Sequence, residues 1–210
     1  MSDFRIQTCV MGMVSTNCYI VYRKGGKSAV IVDPADNGAY ILNKCRELQV
    51  EPEAVLLTHG HFDHILGLDG LLEMFDVPVY VHENEEELIK DPVLNQSKTY
   101  TNGYAFTRAK YVKDKDVLNL IGYSFQVIHT PGHTKGGACY YVKEEDVLFS
   151  GDTLFYASVG RTDFPTGSTS ELIRSIREKL MCLPDDTIVY PGHMGATSIG
   201  YEREQNPFIQ

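Results

Sequence analysis

The sequence has no tryptophan and no long apolar run. A membrane-spanning helix needs about 20 mostly apolar residues. Since no stretch approaches that length, we expect neither a membrane segment nor a membrane partner. The N-terminal stretch MSDFRIQTCVMG also lacks the basic and apolar regions of a secretory signal peptide. These absences predict a cytoplasmic protein.

Basic residues are scarce as well. The 210 residues include 19 Lys and Arg against 28 Asp and Glu, which gives a formal net charge of −9. Nucleic-acid-binding domains present a clustered basic surface, so this balance predicts no nucleic-acid partner. Neither a linker nor a low-complexity segment divides the chain, and we expect a single domain over residues 1–210. The sequence does not specify an oligomeric state.

The five cysteines form no CxxC pair. Their number is odd and most lie in apolar segments, so we expect reduced, buried thiols rather than disulfides. They are Cys9, Cys18, Cys45, Cys139 and Cys182.

Hydrophobic periodicity predicts alternating strands and helices, then two hairpins, then a return to the alternation. Strands are expected over 27–34, 53–58, 77–82 and 187–194, helices over 37–49, 64–75 and 168–183, and hairpins over 117–130 and 137–153. Residues 83–111 open acidic and then become polar, which is typical of a long surface excursion. This segment is either a lid or substrate loop, or a plain solvated loop.

The densest group of chemically active side chains is THGHFDH, residues 58–64, directly after the apolar run EAVLL. Imidazole and carboxylate groups are the usual ligands of zinc and similar divalent ions. His59 and His61 point the same way in an extended segment, and Asp63 with His64 forms a second pair. Two pairs this close indicate two metal ions rather than one.

Further candidate ligands follow apolar strands later in the chain. His133 lies in HTPGHTKG, Asp152 in LFSGDTLF and His193 in VYPGHMG. Ligands at strand ends, aimed by tight turns, are what a rigid site requires. His82 and His129 stand alone, and we interpret them as structural.

The HxHxDH, GHT, GDT and PGH segments, in this order, resemble the metallo-β-lactamase fold superfamily. The resemblance implies a four-layer αββα sandwich of the α/β (α+β) class, with two divalent metal ions at one edge. The residues at its seven ligand positions are His59, His61 and His133 for the first metal, Asp63, His64 and His193 for the second, and Asp152 as the bridge. Asp33 is expected behind these ligands, where it orients one of them or the loop. Zinc is expected, and iron and manganese also suit such ligands.

Within the superfamily, TNCYIV (16–21), HTPGHTKGGACYY and LFSGDTLFYASVGRTDFPTGS resemble the short bacterial type II glyoxalases, which are hydroxyacylglutathione hydrolase-like proteins. This implies hydrolysis of a small-molecule thioester, S-D-lactoylglutathione, to D-lactate and glutathione by a metal-bound hydroxide. Asp63 is then the catalytic carboxylate, which orients the nucleophile or carries its proton.

This chain departs from the glyoxalase II pattern at two places that concern substrate binding. Larger glyoxalase II enzymes hold glutathione with a C-terminal helical extension, whereas only YEREQNPFIQ follows the last turn here, so we expect residues 83–111 to cover the substrate instead. Their Gly-Lys-Phe-Tyr contact reads Gly160-Arg161-Thr162-Asp163 in this chain. Arg161 is therefore a candidate substrate-binding residue, with a structural ion pair to Asp163 as the alternative.

Other functions fit parts of the same pattern. The GRTDF stretch is similar to the persulfide dioxygenases of the superfamily, which hold a single iron through residues matching His59, His133 and Asp152. A lactonase or another ester hydrolase uses the same fold. A non-catalytic module would require a broken ligand set, and all seven positions are filled.

Overall fold

Two six-stranded β-sheets form the centre of the computed structural model, which describes residues 2–210. The first sheet contains, in spatial order, β1 (Phe4–Met11), β2 (Thr16–Arg23), β3 (Ser28–Val32), β4 (Glu51–Leu56), β5 (Val79–His82) and β6 (Lys110–Val112). The next strands along the chain are β7 (Val117–Leu120), β8 (Tyr123–His129), β9 (Ala138–Val142), β10 (Val147–Gly151), β11 (Leu154–Phe155), β12 (Ser158–Val159), β13 (Ile188–Pro191) and β14 (Thr197–Ser198). The second sheet has the order β14-β13-β10-β9-β8-β7, and β11 and β12 form a separate ribbon.

The helices lie between and after these strands. They are α1 (Gly38–Leu48), α2 (Phe62–Ile65), α3 (Leu68–Leu72), α4 (Glu86–Lys90), α5 (Ser97–Tyr100), α6 (Thr169–Ser175) and α7 (Ile199–Gln205). A π-helical turn over Ile176–Leu180 continues α6, and Ser168 caps that helix by accepting from the Glu171 N–H. Among the described residues, no helix combines the length and the apolar character that crossing a membrane would require.

Both sheets are buried on both faces, because alternate residues of each strand contact different layers. On β3, Val30 and Val32 pack between the two sheets, while Ala29 and Ile31 pack in an outer cluster with residues of α1 and α3. A third apolar cluster joins the second sheet to α6 and α7. Three apolar clusters between four layers make the αββα sandwich, and the predicted fold is confirmed.

The strand directions place several loops at the same edge. β3, β4 and β5 run parallel to one another, and β10 runs parallel to β13. The carboxyl ends of parallel strands meet at one edge of a sheet, where α/β proteins bind their ligands. Asp33 follows β3, THGHFDH follows β4, Asp152 follows β10 and His193 follows β13.

The single helix predicted over 64–75 is wrong, since two short helices, α2 and α3, occupy this region. The Gly67 N–H donates to the Pro34 carbonyl at 2.8 Å instead of to an oxygen one turn earlier in the helix. This bond interrupts the helical ladder and fixes the loop after β3 against the ligand-bearing loop after β4.

Residues 83–111 contain more regular structure than the predicted surface excursion. They form a 3₁₀ turn over Glu83–Glu85, the helices α4 and α5, and the start of β6. Leu88, Ile89 and Phe106 are buried, so part of the segment belongs to the core. Its role as a lid stays a prediction.

The cysteines are free, as expected, and four of the five are buried. Cys182 is exposed, so the predicted burial is wrong at that position. It follows the π-helical turn that continues α6, near the end of the last long helical segment.

Candidate metal centre

All seven candidate ligands lie together at the edge where the parallel strands end. The loop after β4 and the start of α2 supply four of them, and loops of the second sheet supply the other three. They are His59, His61, Asp63, His64, His133, Asp152 and His193. Their ligand atoms form overlapping groups in which all atoms lie within 4.8 Å of one another. The structure therefore brings together every ligand residue that the sequence predicted.

One group, the three-histidine half, consists of His59, His61 and His133. Each side chain is buried, with at most 3% of the residue exposed. Burial lowers the pKa of all three imidazoles, that of His61 to about 3. A buried imidazole that resists protonation keeps its lone pair at neutral pH, which is the form that a metal ion binds.

The second group, the carboxylate half, consists of Asp63, His64 and His193. Burial alone would lower the pKa of His193, but Asp152 and Asp63 raise it to about 9. Burial likewise opposes the charged form of His64, yet the surrounding carboxylates hold its pKa well above the usual value. Without a metal ion, this half keeps protons on its histidines as the counter-charge to its carboxylates.

Asp152 lies between the two halves. Its Oδ1 is 3.4 Å from His64 Nε2, and its Oδ2 is 3.6 Å from His133 Nε2 and 3.5 Å from His193 Nε2. The two oxygens thus face ligand atoms of both halves, which is the position that a bridging carboxylate needs.

Hydrogen bonds on the far side of the ring decide which nitrogen faces the ligand cluster in three of the histidines, His59, His64 and His133. His133 Nδ1 donates to the Arg161 carbonyl oxygen at 2.7 Å, and His64 Nδ1 donates to Asp33 Oδ2 at 2.9 Å. With Nδ1 as the donor, Nε2 is the nitrogen of each ring that faces Asp152 and would bind a metal ion.

His59 is oriented through Thr58. The Thr58 hydroxyl donates to Asp33 Oδ2 at 2.7 Å, so His59 Nδ1–H donates to that hydroxyl oxygen at 3.1 Å. Asp33 Oδ1 also accepts from the Thr58 N–H at 2.8 Å. Asp33 therefore lies where the sequence placed it, and it supports a histidine of each half.

Several observations test whether the cluster fits metal ions. Within residues 2–210, the buried atoms without a hydrogen-bond partner include His59 Nε2, His64 Nε2 and Asp152 Oδ1. Unpaired buried polar atoms are rare in proteins and costly. The separations of 3.4–3.6 Å around Asp152 exceed those of good hydrogen bonds. They are close to the roughly 3.4 Å between two ligands of one tetrahedral ion with bonds of about 2.0–2.1 Å. The cluster therefore suits a binuclear metal site.

A cavity of about 140 Å³ opens over the cluster. Its apolar walls include Val14, Phe62, Tyr100 and Phe164. The rings of Phe62 and Tyr100 stack with their centroids 4.8 Å apart. Tyr100 belongs to residues 83–111, so this segment does reach the site. A larger cleft of about 570 Å³, which is lined by Arg23 and Tyr123 among others, contains none of the candidate ligands.

Arg161, the predicted substrate-binding residue, lines the same cavity. Its guanidinium donates two hydrogen bonds of 2.7 Å to Asp163 and lies 3.9 Å from the centre of the Phe164 ring. The pairing lowers the pKa of Asp163 to about 2. The ion pair that the sequence left as an alternative is therefore present, and the substrate contact of Arg161 stays a prediction.

Sequence reasoning did not identify the residues that anchor the carboxylate half. The Thr16 hydroxyl donates to Asp63 Oδ2 at 2.7 Å. The Asn17 amide donates to the carbonyl oxygens of Pro191 and Met194, each at 2.9 Å, and so holds the turn that carries His193. Their only signal was a polar pair at the start of the apolar stretch TNCYIV.

Comparison with known proteins agrees with this geometry. A family model described as the metallo-beta-lactamase superfamily matches residues 11–193. The chain is 39% identical over 202 residues to "Probable metallo-hydrolase YqgX" of Bacillus subtilis, covering 95% of this chain and 94% of that protein. It is 35% identical over 196 residues to "Hydroxyacylglutathione hydrolase GloC" of Haemophilus influenzae, covering 92% of each.

Solved structures show the same fold. A crystal structure of BLEG-1, a B3 metallo-beta-lactamase, matches with a TM-score of 0.90 at 40% identity, over 98% of this chain and 99% of the other. The structure of TTHA1623 in a di-iron-bound form matches with a TM-score of 0.86 at 34% identity, over 96% and 99%. The resemblance drawn from the motifs is confirmed, and the chain belongs to the metallo-β-lactamase superfamily of metallo-hydrolases.

Proposed function

We propose that this protein is a metal-dependent thioester hydrolase that converts S-D-lactoylglutathione to D-lactate and glutathione. The observation that carries the proposal is the complete ligand cluster, whose two halves face the shared Asp152 beneath a small, partly apolar cavity. The name of the Haemophilus relative, hydroxyacylglutathione hydrolase, supports the same reaction.

In this proposal the three-histidine half would hold one divalent ion and the carboxylate half a second, and Asp152 faces the ligand atoms of both halves. The ions, when bound, supply an activated water at neutral pH and an electrophile for the substrate carbonyl. Zinc suits these ligands, and the di-iron form of TTHA1623 supports iron as well. A thioester is a suitable substrate because its thiolate leaves without a strong general acid.

Asp63 is the carboxylate of this chain that orients the nucleophile or carries its proton. Burial alone would raise its pKa, but His64 and His193 lower it to about 2, so the carboxylate stays charged at neutral pH. Thr16 donates to Oδ2 and fixes the rotation of the carboxylate. Asp63 also lines the cavity, where it orients the nucleophile or accepts its proton.

The cavity walls separate the two ends of the substrate. The apolar side chains of Phe62, Tyr100 and Phe164 exclude water around the acyl group. Arg161 lies at the same cavity with a charge that suits a glutathione carboxylate, although Asp163 competes for it.

The first test is thioester hydrolysis by protein of measured metal content. Loss of S-D-lactoylglutathione is followed by ultraviolet absorbance, with a chelator-treated sample as the control. Rapid loss that the chelator abolishes supports the proposal. If fully loaded protein leaves the thioester intact, the proposal is wrong. Oxygen uptake with glutathione persulfide then tests the mononuclear iron dioxygenase, and a lactone panel tests another ester hydrolase.

A further inference from the structure

Glu85 is a fully buried carboxylate in the 3₁₀ turn after β5. No Lys, Arg or His of residues 2–210 forms an ion pair with it, and burial raises its pKa to about 7. A buried carboxylate without a cation is costly to the fold. Its retention therefore needs a reason beyond packing.

The contacts of Glu85 join two ligand loops. Its Oε2 accepts from the Gly60 N–H at 2.9 Å, and Gly60 stands between His59 and His61. Its Oε1 accepts from the Thr134 hydroxyl at 2.5 Å and from the Gly136 N–H at 2.7 Å, in the loop that carries His133. One side chain thus ties together the two loops that build the three-histidine half.

Two glycines of the sequence motifs make room for this residue. A Cβ at Gly60 would lie 2.9 Å from Leu88 Cδ2 and 3.3 Å from Glu85 Oε2. A Cβ at Gly136 would collide with the backbone N of Glu85. Gly60 and Gly136 are therefore explained by the close approach of residues 84–89, the segment that carries Glu85.

We propose that Glu85 is a positioning residue of the three-histidine half, which fixes the spacing of its two loops and offsets the charge of the ion held there. The inference rests on the metal site of the proposed function. The carboxylate half has its own anion, Asp63, whereas the three-histidine half contains only neutral side chains besides the shared Asp152. All three partners of Glu85 are donors, which stabilises its carboxylate form, and in that form it places a negative charge beside the peptide group that joins His59 to Gly60.

Glu85→Gln is the informative substitution because it keeps the shape of the side chain. All three groups that contact Glu85 are donors, and they use both carboxylate oxygens. A glutamine has one acceptor oxygen, so its NH₂ must face either the Gly60 N–H or the pair formed by the Thr134 hydroxyl and the Gly136 N–H. The hydroxyl can turn and accept from the NH₂, but neither N–H can, so the variant loses a backbone hydrogen bond to one loop, together with the charge.

Glu202→Gln is the matched control. Glu202 is also fully buried, and it accepts from the Ala157 N–H, the Thr197 hydroxyl and the Asn206 amide, none of which is a candidate ligand. We expect this variant to melt at a lower temperature and to keep its metal dissociation constants.

The experiment titrates full-length apoprotein with Zn²⁺ against a chromophoric chelator, in two backgrounds. His193→Ala leaves the three-histidine half intact, and His133→Ala leaves the carboxylate half. Glu85→Gln should weaken zinc binding about 10- to 100-fold in the His193→Ala background. It should change binding less than threefold in the His133→Ala background. Thermal melts of each apoprotein show whether the variants fold.

The outcomes separate this inference from the proposed function. Equal weakening in both backgrounds, or equal weakening by Glu202→Gln, overturns the positioning role, because general destabilisation then explains the loss. Unchanged binding in the His193→Ala background overturns it too. A third outcome is that the wild type binds two ions and Glu85→Gln weakens the binding of one of them, while no thioester is cleaved. In that case the positioning role stands and only the proposed function is wrong.

Discussion

The two halves of the metal centre differ in how their histidines are prepared. In the three-histidine half, burial lowers the pKa of His61 to about 3, so its imidazole is uncharged at neutral pH and one ring nitrogen keeps its lone pair. In the carboxylate half, Asp152 and Asp63 overcome burial and raise the pKa of His193 to about 9. The same residue type is therefore neutral in one half and protonated in the other.

This difference in histidine charge shows how each half of the ligand cluster is stabilised within the fold. Three neutral imidazoles need no counter-charge. Thr58 and the Arg161 carbonyl hold His59 and His133 from behind, and His61 contacts His133. Clustered carboxylates repel one another unless a cation lies between them. Protonated histidines provide that cation in the apoprotein, and a metal ion replaces their protons when it binds.

The largest expected effect comes from Asp152, which both halves share. Asp152→Ala removes the only carboxylate that faces His64, His133 and His193 together among the described residues. We expect loss of activity and a sharp fall in bound metal, measured by elemental analysis. Full retention of two ions would contradict the bridging position and leave the two halves independent.

A pH titration should separate the halves next. Below pH 9 a metal ion must displace a proton from His193. The zinc affinity of the carboxylate half should therefore fall about tenfold for each unit by which the pH is lowered, for each proton released. The three-histidine half should change little between pH 8 and pH 6, because its imidazoles are deprotonated throughout. Zinc dissociation constants measured in the two single-half backgrounds at pH 6, 7 and 8 check this. Parallel slopes would remove the distinction.

Two threonines provide a smaller and selective effect. Thr58→Val removes the hydroxyl between Asp33 and His59, while Thr16→Val removes the hydrogen bond to Asp63 Oδ2. We expect each substitution to weaken binding about tenfold in its own half and to spare the other. Each variant is the control for the other, and a serine at either position should restore most of the affinity. If both variants weaken the binding of the same ion, the two halves are not supported separately.

The smallest effect is expected at Arg161, which belongs to neither half. Arg161→Ala should raise KM for a glutathione thioester about three- to fivefold with kcat and both bound ions unchanged, because the contact is exposed. Asp163→Ala, which frees the guanidinium, should not raise KM. An unchanged KM in Arg161→Ala would leave Arg161 with the ion pair alone.

The ligand set was predictable because its signal is local and chemical. Four ligands stand within six residues of THGHFDH, and the others each follow an apolar strand. The αββα fold was predictable for a similar reason, since alternating strands and helices limit the ways in which sheets are covered. Asp33 was expected from the resemblance to the superfamily, although its link to His59 through Thr58 was not.

Glu85 could not be predicted, because its neighbours look the same in the sequence. Glu83, Glu86 and Glu87 are exposed, and only Glu85 is turned inward by the 3₁₀ turn after β5. Its partners lie 25 to 51 residues away along the chain. Thr16 and Asn17 were missed for the same reason, since an isolated polar pair does not reveal contacts made by folding over long distances.

Asp152 and the turns around it have a consequence for the unfolding of the chain. The candidate ligands come from loops of both sheets, so ions held there would connect segments that are distant in the chain, much as a covalent cross-link does. Such a connection restricts the conformational entropy of partly opened states, and ligands that bind only the folded protein shift its stability by mass action. The edge of the sandwich that carries the candidate ligands would then also hold the two sheets together during unfolding.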